Sequence, residues 1–254
     1  MLYDACMETD EKLINQPSSA KAPNVWAEES AGEPIEELLP RASSSALSLK
    51  AVNLPANTSL TIGAEGQDSV LVLLEGVMDI RVAGQERSQS AGDATLLTDG
   101  TEAVLRTGPA AATAVQFVVE VGLADSHAPL GAGEIFSSVD LTDPQSATSN
   151  RSYRIIFGPE NGSSHATLFV GLVPVGAAPW HFHQYEEIAL ILKGQGLFHH
   201  DGTATPLLAG SAFHIPARDL HINENTSSSE EVLLLGFLTP AGSPSAAYLP
   251  KPVD

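Results

Sequence analysis

The apolar positions of this chain fall in short runs, Val70–Leu74, Val77–Val82, Thr113–Val121, Ile155–Phe157, Thr167–Val173, Ile188–Leu192 and Val232–Leu238, broken by Gly, Asp and Pro. Runs of this length, rich in branched and aromatic residues and punctuated by turn formers, predict strands rather than helices. Their rhythm from Leu47 onward predicts an all-β sandwich or barrel. Residues 1–45 mix Pro, Ser, Ala and Glu without sustained periodicity, end in Ser43-Ser44-Ser45, and read as an arm.

Two sections of the pattern repeat each other at an offset of 118 residues. Glu75-Gly76 falls on Lys193-Gly194, Ala83-Gly84 on Asp201-Gly202, and Gly92 on Gly210. Each first pair closes an apolar strand, and the Asp-Gly pair suits a tight hairpin because Gly accepts positive φ at low cost. Three glycines aligned without a gap predict two tandem copies of one β-fold. The expected division is an arm over 1–45, a first barrel over 46–122, a connector over 123–150 and a second barrel over 151–254.

Charge removes some partners from consideration. Twelve Lys and Arg against 31 Asp and Glu give a formal charge of −19, which repels phosphate backbones and anionic lipid surfaces. No nucleic acid and no membrane partner is expected. A single cysteine, Cys6, rules out an intrachain disulfide framework, and Met1–Lys12 lacks the basic start and apolar run of a secretory signal. No uninterrupted apolar run approaches the roughly 18 to 20 residues of a membrane-spanning helix. A cytoplasmic location is the expectation.

The chemistry concentrates in Trp180-His181-Phe182-His183-Gln184-Tyr185-Glu186-Glu187. In an extended segment His181 and His183 share a face, because side chains alternate with period two. Glu187 has the same parity and adds an anionic donor, and His221 arrives from a distant segment. Imidazole nitrogen with carboxylate oxygen suits a borderline divalent ion such as Fe, Mn, Ni, Co or Zn, with positions left open for substrate, water or dioxygen. Glu186 has the opposite parity and is directed at solvent or a neighbouring sheet, although a one-residue bulge would exchange it with Glu187.

These residues match a known pattern. Gly176, His181, His183, Glu187 and Gly194 form a first motif, and Gly210, Pro216, His221 and Asn225 a second; together they resemble the two motifs of the cupin superfamily. Two departures are visible: Gly176 stands one residue closer to His181 than in the family, and Arg218 replaces a glycine. Neither removes a ligand. The resemblance implies two tandem cupin barrels (double-stranded β-helix, or jelly roll), one divalent transition metal per chain at His181, His183, Glu187 and His221 with Fe(II) favoured, and a homodimer. Shifted by 118 residues, the four ligand positions become Gly63, Glu65, Ser69 and Ala103, so the first barrel is expected to be metal-free.

The function implied is a metal-dependent enzyme acting on a small organic molecule, with Fe(II)-type dioxygenation the class most associated with such proteins and Glu187 also placed to move a proton. A redox-neutral metalloenzyme (isomerase, decarboxylase, lyase or aminohydrolase) and a non-catalytic small-molecule binder are the alternatives. For substrate contacts, Arg154 and Arg218 are candidates to hold a carboxylate through the guanidinium fork, and Tyr185, between His183 and Glu187, is a candidate to line the pocket.

Overall fold

In the computed structural model, which describes residues 33–43, 45–147 and 150–250, the chain is all-β with two short 3-10 turns at Val139–Leu141 and Pro159–Asn161. Cys6 and the first 32 residues of the predicted arm lie outside the described residues. Among the described residues no helix is long and apolar enough to cross a membrane.

The first half carries β1 (Ile35–Leu39), β2 (Leu47–Leu54), β3 (Ser59–Ile62), β4 (Gln67–Glu75), β5 (Val77–Val82), β6 (Gln85–Ser90), β7 (Asp93–Leu97), β8 (Ala103–Thr107), β9 (Ala112–Glu120) and β10 (Phe136–Ser138). The second carries β11 (Gln145–Ser146), β12 (Ser152–Phe157), β13 (Thr167–Val173), β14 (Gly176–Ala177), β15 (Phe182–His183), β16 (Glu186–Lys193), β17 (Gln195–His200), β18 (Thr203–Leu208), β19 (Ala212–Ile215), β20 (His221–Asn225), β21 (Val232–Thr239) and β22 (Ala247–Tyr248).

The two halves share one topology. In the first, β2-β9-β4-β7 lies opposite β3-β8-β5-β6; in the second, β13-β21-β16-β19 lies opposite β14-β20-β17-β18. The repeat is therefore a repeat of strand order. Its shared hairpin is a two-residue turn in both halves, with Ala83 and Asp201 at φ 49 and 47 followed by Gly84 and Gly202 at φ 78 and 70. Positive φ at both positions matches the right-handed twist of the strands it joins.

The end of the predicted arm and the connector contribute strands that periodicity did not reveal. Ile35–Leu39 is β1, antiparallel to β2, and within 123–150 β10 pairs with β7 and β11 with β12. These are short strands bonded along one edge, so little of their pattern is fixed by a core.

Three apolar clusters form the core. One fills the first barrel, with Leu71, Leu73, Met78, Ile80 and Leu105; one fills the second, with Ala189, Ile191, Phe198, Phe213 and Leu234. The third lies between the halves and joins Val70, Val72 and Phe117 to Ile188, Leu190 and Phe237. The Phe117 and Phe237 rings meet across it with centroids 5.4 Å apart. β4 and β16 are buried on both faces, which is why Val70–Leu74 and Ile188–Leu192 read as continuous apolar runs rather than alternating ones. On β16 odd positions face the barrel interior and even positions face the other half.

Candidate metal centre

That parity separates the two adjacent glutamates. Glu187 follows Ala189 and Ile191 into the second barrel, while Glu186 turns to the first half, where Oε1 accepts from the Ala46 amide at 2.8 Å; its Oε2 pairs with His214 Nε2, on β19 of its own half, at 2.9 Å. Burial opposes charge on Glu186, but the bonds from His214, Ala46 and Ser45 outweigh it and hold its carboxyl below the usual range.

His181 and His221 face each other through a backbone bridge, with His181 N to His221 O at 3.2 Å and His221 N to His181 O at 3.0 Å. Their rings lie 4.5 Å apart by centroid, and His183 lies 5.0 Å from His221. His183, on β15, is held by the pairing of that strand with β22. Its Nε2 is 3.6 Å from Glu187 Oε2. All four side chains line one cavity of about 80 Å³. Among the described residues no three His, Cys, Asp or Glu side chains are drawn together as a formed metal site, so the four stand as donors around a cavity.

Their hydrogen bonds fit them to a metal. Each Nδ1 bonds a backbone carbonyl: His181 to Pro179 at 3.1 Å, His183 to Tyr185 at 2.6 Å and His221 to Asp219 at 2.9 Å. A carbonyl only accepts, so each Nδ1 carries the proton and each Nε2 keeps its lone pair, the tautomer that ligates metals. His183 Nε2 is buried with no hydrogen-bond partner, which is costly unless something else occupies that lone pair.

Electrostatics agree. Burial lowers the pKa of all three histidines, to about 4 for His183 and about 3 for His221, so they are neutral donors at physiological pH. Burial pushes Glu187 up to about 8, with Arg151 drawing it partly back. A buried carboxyl and three imidazole lone pairs turned to one cavity make a donor set that suits a divalent ion.

Of the residues expected to contact substrate, the structure brings only Tyr185 to the cavity. Its ring stacks on His183 with centroids 4.0 Å apart, and its hydroxyl donates to the Pro244 carbonyl at 2.9 Å. Arg154 is not among the lining residues. It alternates with Tyr153, which faces the cavity, so it points to the other face of β12 and donates to the Thr142 carbonyl. Arg218 also stays outside: its side chain donates to Gln184 at the surface, 3.0 Å away, while its amide donates to the His183 carbonyl at 2.7 Å. Its φ of 70 explains why a glycine would suit that position.

Two further lining residues, Arg151 and Asn223, bear on the chemistry of the cavity. Arg151 stands just before β12 with inward parity like Tyr153, and Asn223 sits two residues after His221 on the same face of β20. The parity of Asn223 could have been counted from His221. Arg151 precedes its strand, where parity gives no guide.

In the first barrel the Glu187 position holds Ser69, whose hydroxyl accepts from Gln116 Nε2 at 3.0 Å. Gly63 stands where His181 would be, and a Cβ there would collide with the Thr101 carbonyl oxygen.

Residues 168–237 match the family model for the cupin domain, a span that contains His181, His183, Glu187 and His221. No curated protein sequence matches the chain. Solved structures do: the protein Ylba from E. coli (14% identity, 81% of each chain covered, TM-score 0.66), salicylate 1,2-dioxygenase from Pseudoaminobacter salicylatoxidans (11%, 83% of this chain and 78% of that one, 0.65) and oxalate decarboxylase from Bacillus subtilis (12%, 81% and 71%, 0.62). At these identities the likeness is one of fold: the chain is all-β with cupin-fold neighbours, its two halves share one strand order, and the second half carries the cupin-domain match.

Proposed function

We propose that the second barrel is a metal-dependent enzyme site acting on a small organic molecule, with His181, His183, Glu187 and His221 holding one divalent ion. The observation that carries this is the fixed tautomer of three buried histidines, each turned by a backbone carbonyl to present Nε2, beside a carboxyl that burial drives up to about 8. Such a metal would supply Lewis-acid polarisation of a bound oxygen group or, as Fe(II), a site for dioxygen. Fe(II)-type dioxygenation is the reading to test first.

The protein side of the chemistry is local. Tyr185 stacks against His183 and anchors it against Pro244, fixing the imidazole in place. Pro244, Ser245 and Ala247 line one wall of the cavity with small side chains. Glu187 Oε2 faces His183 and is positioned to hold or pass a proton at the cavity wall.

That last feature favours a second reading. A carboxylate at the cavity wall that could leave the ion and take up a proton suits redox-neutral proton transfer, as in isomerisation, decarboxylation or elimination. The experiment is turnover of small organic acids by protein loaded anaerobically with Fe(II) or Mn(II). Oxygen uptake lost in His183→Ala supports dioxygenation; product without oxygen uptake supports the redox-neutral reading. Tight ligand binding with no turnover under either metal contradicts both.

A further inference from the structure

Of the five buried side-chain atoms without a hydrogen-bond partner among the described residues, three belong to residues lining this one cavity: His183 Nε2, Arg151 Nε and Asn223 Oδ1. A guanidinium inside a barrel is costly unless paired, and this chain has 31 acids to pair it with. Yet no hydrogen bond or ion pair of the Arg151 side chain is found among the described residues, and Glu187 acts on it only at longer range. Its positive charge stands beside the four donors with no partner at hydrogen-bond distance among the described residues.

We propose that Arg151 and Asn223 form the substrate-binding side of this cavity, and that the substrate is a small carboxylate carrying a hydroxyl or amino donor. The proposal deepens the reading of the metal-dependent site and rests on it. The guanidinium fork matches a planar carboxylate in two parallel bonds. Asn223 Oδ1 accepts, so the ligand must donate to it through a hydroxyl or an amine. Size narrows the class further. An apolar cavity of about 150 Å³ takes a benzene ring, and this one has about 80 Å³, which favours a molecule of few heavy atoms over an aromatic acid.

The test titrates three near-isosteric probes by calorimetry: glycolate (carboxylate and hydroxyl), acetate (carboxylate alone) and glycolamide (neutral). Wild type, Arg151→Gln and Asn223→Leu are compared as purified and after removal of metal with a chelator, with metal content measured on every sample. Wild type is expected to bind glycolate best and glycolamide worst. Arg151→Gln weakens glycolate and acetate by about tenfold or more and leaves glycolamide unchanged. Asn223→Leu weakens glycolate selectively. If Arg151→Gln does not fold, Arg151→Lys keeps the charge but loses the fork and is expected to weaken both carboxylates by several fold. Equal binding of glycolate by wild type and the Arg151 variants, or equal binding of glycolate and glycolamide by wild type, overturns the proposal. Carboxylate discrimination retained in protein that never takes up metal overturns the metal reading alone; metal retained without discrimination overturns the substrate class alone.

Discussion

Asp68 and Glu186 stand 118 residues apart at equivalent points of β4 and β16, and each carboxylate crosses to the other half of the molecule. Asp68 Oδ2 meets His165 Nδ1 at 2.7 Å while Oδ1 accepts from the Asp99 amide at 2.7 Å; Glu186 reaches the Ala46 amide and His214. Both strands are buried on two faces, so an even-numbered acid at the strand start has only the seam to enter. The two crossings thus fasten the halves in a pseudo-symmetric way around the shared apolar cluster. Asp68→Asn is expected to lower stability by about 1 to 3 kcal/mol, read by chemical denaturation, without changing metal content.

The metal-free protein should carry a stability maximum set by its buried donors. His183 and His221, lowered to about 4 and about 3 from 6.5, bind protons less readily folded than unfolded, so their contribution is absent in acid and grows as pH rises to 6.5. Glu187, raised to about 8 from 4.5, keeps its proton when the unfolded chain has lost it, so its contribution falls as pH rises from 4.5 to 8. Above pH 6.5 only the falling contribution remains among these three. Denaturation of chelator-treated protein is expected to show stability declining between pH 6.5 and 8, with Glu187 contributing up to about 1.4 kcal/mol per pH unit, and Glu187→Gln should reduce that decline to the part owed to His200, whose pKa the bond to Asp219 raises.

Gly236 makes room for Glu187. It lies on β21 beside β16, and a Cβ there would collide with the Phe169 ring and stand 2.9 Å from Glu187 Oε1. Gly236→Ala is therefore expected to destabilise by about 1 to 3 kcal/mol and to weaken metal binding together with stability. A variant that is equally stable but has lost metal would show that Gly236 acts on the donor alone.

The first barrel should resist conversion into a second metal site. Gly63 occupies the His181 position at φ 115 with its backbone against the Thr101 carbonyl. Gly63→His is expected to lower the melting temperature and to leave the metal stoichiometry of the chain unchanged.

What the sequence made legible was whatever depends on strand parity within a well-marked apolar run. The inward direction of His181, His183 and Glu187 and the outward direction of Glu186 follow from Ile188–Leu192, because that run is fixed by two packed faces. The 118-residue offset recovered the common strand order for the same reason: its landmarks are turns whose backbone demands glycine. Where no run surrounds a residue, parity has no anchor. Arg151 precedes β12, so no run fixes its direction, whereas Arg154, inside β12, alternates with Tyr153 and faces away from the cavity. Arg218 reads from sequence as a candidate to hold a carboxylate, but its side chain bonds Gln184 and its work is done by its backbone, in a left-handed conformation that turns its amide to His183. The short edge strands β1, β10 and β11 left no pattern, since one bonded edge imposes none.

The central claim is that His181, His183, Glu187 and His221 hold one metal ion, and elemental analysis of protein purified without a metal-binding tag tests it most directly. The account predicts about one equivalent of divalent transition metal per chain in wild type, lost in His183→Ala and retained in Asp68→Asn, whose side chain lies at the seam. No metal in wild type after anaerobic reconstitution with Fe(II), Mn(II), Ni(II), Co(II) and Zn(II), or an undiminished equivalent in His183→Ala, would contradict it.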